Sequence, residues 1–172
     1  MTKPEVAVVM GSDSDWPLVK TAVETLEEFG IGADVRVISA HRTPDLAADY
    51  AKQAVGRGIK VVIAAAGGAA HLAGVLASHT TLPVIGIPVE SGAFKGLDAL
   101  LATVQMPGGV PVATVTLGSA GPVNAAVLAV QILATGRSGL ARKLAGYKRS
   151  LKSKVAKGNL RVRAEAQKGK GS

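Results

Sequence analysis

The residues best suited to acid/base chemistry lie in one short stretch of the sequence. His41 and Arg42 follow a β-branched run that ends at Ile38, and they precede Thr43 and Pro44, a pair typical of a helix start. Imidazole exchanges protons near neutral pH, and a guanidinium binds phosphate or carboxylate through two parallel hydrogen bonds. If the two side chains face a ligand, they are suited to proton transfer on a bound anion. If they are solvated, the stretch only begins a helix.

Two other loops that follow strand-like runs are also rich in small or polar residues. Residues 11–15 combine glycine with serines and aspartates, and residues 66–72 are small except near their end. The carboxyl ends of parallel strands meet at one edge of a sheet, so all three loops are expected to share a crevice there. Ser12 and Ser39 would then supply hydroxyl donors, and Asp15 would accept hydrogen bonds from ribose hydroxyls.

Some residues of these loops have two readings. Asp13 and Asp15 have the chemistry of divalent-ion ligands, but acids that alternate with serines before a helix more often cap it, so we expect no metal. His71 is equally compatible with a packed, orienting histidine and with a ligand-facing one. His79 fits a surface histidine at a helix end, and we assign it no role.

The elements that must position these loops alternate regularly along the chain. Short apolar runs with turn signals between helix-like segments predict a doubly wound parallel five-stranded sheet of the α/β class. We expect strands near residues 6–10, 34–38, 60–65, 82–88 and 111–117, and a final helix of the sheet domain at 122–134.

Composition limits the class of protein further. The chain has 172 residues, of which 48% are hydrophobic, which is enough for one core. It has no cysteine, which excludes disulfides and thiolate sites. We recognise no signal peptide and no apolar run long enough to span a membrane, so we expect a soluble cytoplasmic protein.

Positive charge is concentrated near the carboxyl terminus. Residues 137–172 hold 12 of the 20 Lys and Arg residues and one acid, whereas the preceding part has 8 basic and 11 acidic residues. We predict a catalytic α/β domain at 1–136, an amphipathic helix at 137–156 and a basic, disordered tail at 157–172. The charge of this tail is compatible with weak contact to RNA, but nucleic acid is not an expected partner.

Four motifs in the same order closely resemble the class I PurE family, the N5-carboxyaminoimidazole ribonucleotide mutases. They are Gly-Ser-Asp-Ser-Asp-Trp at 11–16, Ser-Ala-His-Arg-Thr-Pro at 39–44, Ala-Gly-Gly-Ala-Ala-His-Leu at 66–72 and Val-Gln-Met-Pro at 104–107. The resemblance covers about residues 5–135. It implies a flavodoxin-like three-layer αβα sandwich and a homo-octamer with active sites at subunit junctions. The implied reaction moves a carboxylate from N5 to ring carbon C4 of the imidazole ribonucleotide, without metal, ATP, biotin or another cofactor.

The resemblance also implies roles for the matching residues. His41 would be the general acid/base. The ribose and 5′-phosphate would be held by Ser12, Asp15, Ser39 and Arg42, and the base and migrating carboxylate would face Gly67, Ala69, His71 and Leu72, with Ser14 nearby. The chain departs from the family pattern in the charged segment 90–95, which puts a local subunit contact in doubt, and in its long basic tail.

Two other functions are compatible with the sequence. A class II enzyme would carboxylate aminoimidazole ribonucleotide directly with CO2, although the loop at 66–72 favours class I. A non-catalytic ribonucleotide-binding or RNA-binding protein would use the basic tail. The acids at 13 and 15 oppose polyanion binding in the crevice, and an aromatic content of 3% leaves few platforms for base stacking.

Overall fold

The computed structural model describes residues 3–168, and the chain divides after Leu133 into two compact units. The elements are β1 (Val6–Met10), α1 (Trp16–Glu28), β2 (Ala33–Val37), α2 (Pro44–Gln53), β3 (Val61–Gly67), α3 (Leu72–Ser78), β4 (Val84–Val89), α4 (Leu97–Val104), β5 (Ala113–Thr114), α5 (Ala120–Ala134) and α6 (Ser138–Lys168), with a 3-10 turn at Asp13–Asp15.

The five strands form one parallel sheet in the order β2-β1-β3-β4-β5. Met10 at the end of β1 lies beside Val37 of β2 and Ala65 of β3. The strand order reverses at β1, which makes the gap between β1 and β3 the topological switch point of a flavodoxin-like sheet. The predicted α/β class is therefore confirmed.

Helices cover both faces of the sheet. All five residues of β1 are buried, as expected for a strand that is covered on both sides. Ala7 and Val9 share a core with α2 and α3, and strand alternation turns Val8 to the opposite face, where α1 packs against β1. A side chain at Gly121, in the first turn of α5, would contact Ile87 of β4, so this end of α5 lies on the sheet as well.

The fifth strand is shorter than the predicted 111–117. β5 pairs with β4 only at Ile85 and Gly86. It lies at the edge of the sheet, where a strand has a partner on one side only. Pro111 has no N–H to donate, and Gly118 turns the chain with a φ of 75°.

The carboxyl-terminal helix is longer than predicted. We expected it to end at residue 156, but α6 continues to Lys168, so the prediction of disorder is wrong for residues 157–168. Residues 169–172 lie outside the described part of the chain. The apolar period is lost after 156, but Ala, Lys, Arg, Gln and Glu are good helix formers and maintain the helix without it. Of the helices in residues 3–168, none has the length and apolar character of a membrane span.

Buried Tyr50 joins α2 to β2, the two elements that flank the loop with His41. Its hydroxyl donates to Asp34 Oδ2 at 3.0 Å, and Asp34 also pairs with Arg36 at 2.9 Å. The Arg57 guanidinium lies 4.0 Å from the centre of the Tyr50 ring. Burial and the Asp34 charge raise the pKa of Tyr50 above its usual range, so the phenol remains a donor.

Removal of this hydroxyl should loosen the attachment of α2. We expect Tyr50→Phe to lower the free energy of unfolding by roughly 1–2 kcal/mol, because a hydrogen bond to a charged acceptor is lost. Ser78→Ala is a matched control, since its hydroxyl bonds an exposed carbonyl within its own helix. Thermal unfolding followed by circular dichroism measures both, and equal midpoints for the two variants would contradict the prediction.

Candidate active site

A cavity of about 430 Å³ opens at the carboxyl edge of the sheet, at the switch point between β1 and β3. The loops after β1, β2 and β3 all contribute to its wall, as predicted. Nine of the ten predicted site residues line it: Ser12, Ser14, Asp15, Ser39, His41, Arg42, Gly67, His71 and Leu72. Ala69 is exposed and is not part of the wall, whereas its neighbour Ala70 is buried and lines the cavity.

The loop after β1 is organised by its own serines. Ser12 Oγ accepts the backbone N–H of Ser14 at 3.3 Å and the Ser14 hydroxyl at 2.8 Å. Ser12 thereby caps the 3-10 turn that leads into α1. Both hydroxyls are held at the cavity wall, where each can contact a ligand.

The loop after β2 is closed by a reciprocal contact. Thr43 Oγ1 accepts the N–H of Ser39 at 3.0 Å and donates to the Ser39 carbonyl at 2.9 Å. Thr43 precedes α2, as predicted, but its hydroxyl bonds within the loop rather than capping the helix. Ser39 Oγ accepts the N–H of Arg42 at 3.2 Å. These bonds fix the backbone on either side of His41.

Arg42 connects two of the three loops. Its Nη2 donates to the carbonyl of Gly11 at 3.0 Å, and its Nε lies 3.4 Å from Ser39 Oγ. A guanidinium has five N–H donors in a planar fork, so these contacts leave donors for a ligand. The fork is held in place before an anion arrives.

The two site histidines contact each other. His41 Nε2 lies 2.8 Å from His71 Nδ1, and the rings meet edge to face at 82°. One ring must donate and the other accept, so the pair shares a proton. This contact resolves the two readings of His71: its ring faces the cavity and is partnered by the acid/base candidate.

The loop after β3 has an unusual backbone. Gly68 and Ala70 have φ values of 60° and 44°, and a residue with a side chain rarely adopts such a conformation. The reversal leaves Ala69 on the outside and turns Ala70 inward, 3% exposed. Ala69 was expected in the wall from the resemblance to the PurE family, and a match of motifs does not reveal which way each side chain of a left-handed turn points.

Ser91 is a cavity residue that the sequence analysis missed. It follows β4, and its Oγ accepts the N–H of Gly68 at 2.8 Å. We considered residues 90–95 only as a charged departure from the family pattern. The signal was present, however, because Ser91 is a polar residue after a strand and therefore lies at the same edge as the other three loops.

Asp15 introduces a carboxylate into this wall at an energetic cost. Its pKa is raised mainly by partial burial and further by the nearby Asp13 charge, while a hydrogen bond from the Ser12 backbone opposes the shift. Within residues 3–168, no three His, Asp or Glu side chains are grouped to hold a metal ion. The wall is instead arranged for hydrogen bonding to hydroxyls and anions.

Comparison with known proteins places the chain in a family. A family model described as AIR carboxylase matches residues 5–154. The N5-carboxyaminoimidazole ribonucleotide mutase of Bacillus subtilis is 54% identical over 153 residues, which cover 89% of this chain and 94% of that protein. The Thermotoga maritima protein of the same name is 55% identical over 152 residues, 88% of each chain. The chain belongs to the AIR carboxylase family.

A solved PurE structure has the same fold. The crystal structure of Treponema denticola PurE superimposes with a TM-score of 0.81 at 29% identity, and the match covers 90% of this chain and 95% of that one. The resemblance to PurE recognised in the four motifs is confirmed. The family match extends to residue 154, beyond residue 135, where the resemblance was expected to end.

The cost of the Asp15 carboxylate predicts a pH-dependent stability difference. A carboxyl whose folded pKa is raised stabilises the fold only when protonated, and this contribution is lost as pH rises through that pKa. Asp15→Asn should therefore raise the midpoint of thermal unfolding at about pH 7, and the gain should shrink toward about pH 4, near the ordinary carboxyl pKa. Asp49→Asn, on the exposed side of α2, is the control. A gain that grows on acidification would contradict the assignment.

Proposed function

We propose that the protein converts N5-carboxyaminoimidazole ribonucleotide to 4-carboxyaminoimidazole ribonucleotide, an isomerisation in de novo purine biosynthesis. The observation that carries the proposal is the His41–His71 pair next to Arg42 in one cavity, in a chain more than half identical to proteins of that name. A cytoplasmic location belongs to the same proposal, because the phosphorylated substrate is charged and does not cross membranes unaided.

Arg42 and the polar wall hold the phosphoribosyl group. Arg42 presents its remaining N–H donors to the 5′-phosphate, with Ser12 and Ser39 adding hydroxyl donors. The Asp15 carboxylate accepts hydrogen bonds from the ribose hydroxyls. These contacts compensate for the partial desolvation that raises its pKa.

The loop after β3 faces the base and the migrating carboxylate. Gly67 lets the backbone approach the ligand, and Ser14 lines the same cavity. Ala70 and Leu72 are 3% and 2% exposed, so this part of the wall is apolar and small. Such a wall is suited to retaining CO2 and excluding water. Ala69 lies outside the wall of this cavity, so within one subunit it does not contact the ligand.

His41 transfers the proton in both halves of the reaction. Protonated His41 delivers a proton to N5 as the bond from N5 to the carboxylate carbon breaks, which leaves aminoimidazole ribonucleotide and CO2. The electron-rich C4 then attacks CO2, and neutral His41 removes the proton from C4 to restore aromaticity. The proton is returned, so no cofactor is consumed. His71 orients the imidazole and offers the proton a second site.

Assembly into a homo-octamer is part of the proposal. Leu97, Leu101 and Val104 recur on one face of α4, and about half of each side chain is exposed. An exposed apolar stripe of this kind marks an interaction surface. His41 and His71 are also exposed on the single chain, which supports a site completed at a subunit junction.

Direct carboxylation of aminoimidazole ribonucleotide by CO2 is the second candidate. It is favoured by the description of the matched family as AIR carboxylase. The same cavity could serve it, because the second half of the proposed reaction is that carboxylation. The two functions differ in whether the N5-carboxylated compound is the substrate.

The acid/base role of His41 is tested by substitution with an amide. We expect His41→Asn to lower kcat by at least about 100-fold, the lower bound for a lost general acid/base, with ligand affinity nearly unchanged. Isothermal titration with aminoimidazole ribonucleotide measures the affinity separately from turnover. The control is His79→Asn, which alters the exposed histidine after α3. Retained turnover in His41→Asn would remove this residue from the mechanism.

Arg42 should act mainly on affinity. Arg42→Ala is expected to weaken binding of the phosphorylated ligand about 10- to 100-fold, because charge-assisted hydrogen bonds to phosphate are lost. Arg36→Ala, which removes an arginine bound to Asp34 outside the cavity, is the matched control. If titration gave the same affinity for both variants and the wild type, the phosphate would have to bind elsewhere.

A further inference from the structure

The loop between β4 and α4, residues 90–96, holds the loop that carries His71. Ser91 Oγ accepts the N–H of Gly68 at 2.8 Å. The two loops also pack closely, because a side chain at Gly67 would place its first carbon 2.8 Å from the same oxygen and 3.2 Å from the carbonyl of Val89. Ser91 therefore contacts the β3–α3 loop where that loop leaves its strand.

The contacted loop needs outside support. Gly68 and Ala70 both have positive φ, and Ala70 pays a steric cost there because it has a side chain. Residues in such conformations persist only when their surroundings hold them. Within the loop, the Ala70 N–H donates to the Gly67 carbonyl at 3.2 Å. The hydrogen bond from Gly68 to Ser91 adds support from outside the loop.

His71 comes directly after this strained turn. The direction of its ring thus depends on how Gly68 and Ala70 are held, and the 2.8 Å contact with His41 leaves little freedom for displacement. A hydrogen bond weakens steeply when its angle or length departs from the optimum. A small rotation of the loop would separate the two rings without unfolding any element.

We propose that Ser91 is a positioning residue, whose bond to Gly68 fixes the β3–α3 loop and so holds His71 against His41. The predicted effect of Ser91 on turnover rests on the proposed function. The predicted effect of Ser91 on the contact between His41 and His71 rests on the geometry alone. Two measurements follow, and the first requires no substrate.

The first measurement is the rate at which diethyl pyrocarbonate modifies the site histidines. The chain has three histidines, so a His79→Gln background leaves only His41 and His71. Loss of the bond between Ser91 and Gly68 should loosen the turn and separate His71 from His41, which frees both rings. We therefore expect Ser91→Ala to raise the modification rate of the two histidines about threefold or more. Ser91→Thr keeps the hydroxyl and should restore the slow rate. Ser91→Cys keeps the size but accepts weakly, so it should resemble Ser91→Ala.

Ser78→Ala is the control, because it removes an exposed serine hydroxyl far along α3 from the turn. Ser91 is exposed, so the variants are expected to fold, and thermal unfolding checks this. A modification rate in Ser91→Ala equal to that in Ser78→Ala would overturn the proposal. A fast rate in Ser91→Thr equal to that in Ser91→Ala would overturn it as well.

The second measurement is the pH profile of turnover of N5-carboxyaminoimidazole ribonucleotide. We expect Ser91→Ala to lower kcat on the order of 10- to 100-fold, as for a misplaced catalytic group, with KM changed by less than about threefold. The midpoints of the pH profile should move, and Ser91→Thr should return them. Unchanged kcat and midpoints in Ser91→Ala would refute the positioning role. An inactive wild type would instead refute the proposed function, and the modification rates alone would then decide the role of Ser91.

Discussion

The hydrogen bond between His41 and His71 joins loops that follow β2 and β3, two strands that are not neighbours. β1 lies between them, so the loops start about 10 Å apart, two interstrand spacings. The side chains must reach across the carboxyl end of β1. The residue that follows β1 is Gly11, whose carbonyl accepts a hydrogen bond from Arg42 Nη2. The contact between the histidines thus depends on the strand order.

The cavity wall has two chemical halves that follow from this arrangement. The loops after β1 and β2 supply hydroxyls, a guanidinium and a carboxylate, which suit a phosphorylated sugar. The loop after β3 supplies Ala70 and Leu72, both nearly inaccessible to solvent, which suit a small apolar molecule such as CO2. The histidine pair lies between the halves. An imidazole base that is anchored by its ribose phosphate would contact the histidine pair and face the apolar half of the wall.

Much of the fold and of the site could be predicted because it depends on local rules. Continuous apolar runs identified β1, β3 and β4, and the meeting of parallel strand ends at one edge identified three of the four loops. The contact of His41 with His71 could not be predicted, because it depends on strand order and on the left-handed turn at Gly68 and Ala70. Ser91 was missed because its segment was judged by charge rather than by its place after a strand. The length of α6 was underestimated because amphipathic period was used where helix propensity decides.

The central claim is that the carboxylate moves from N5 to C4 within this cavity. The most direct test is to incubate the wild-type protein with N5-carboxyaminoimidazole ribonucleotide, without ATP or added metal, and to measure formation of the 4-carboxy isomer. A parallel reaction contains aminoimidazole ribonucleotide and bicarbonate. Efficient conversion of the N5-carboxylated compound is the predicted result. Turnover of only the second mixture would contradict the claim and show a direct carboxylase, and turnover of neither would show that the cavity binds without catalysing this reaction.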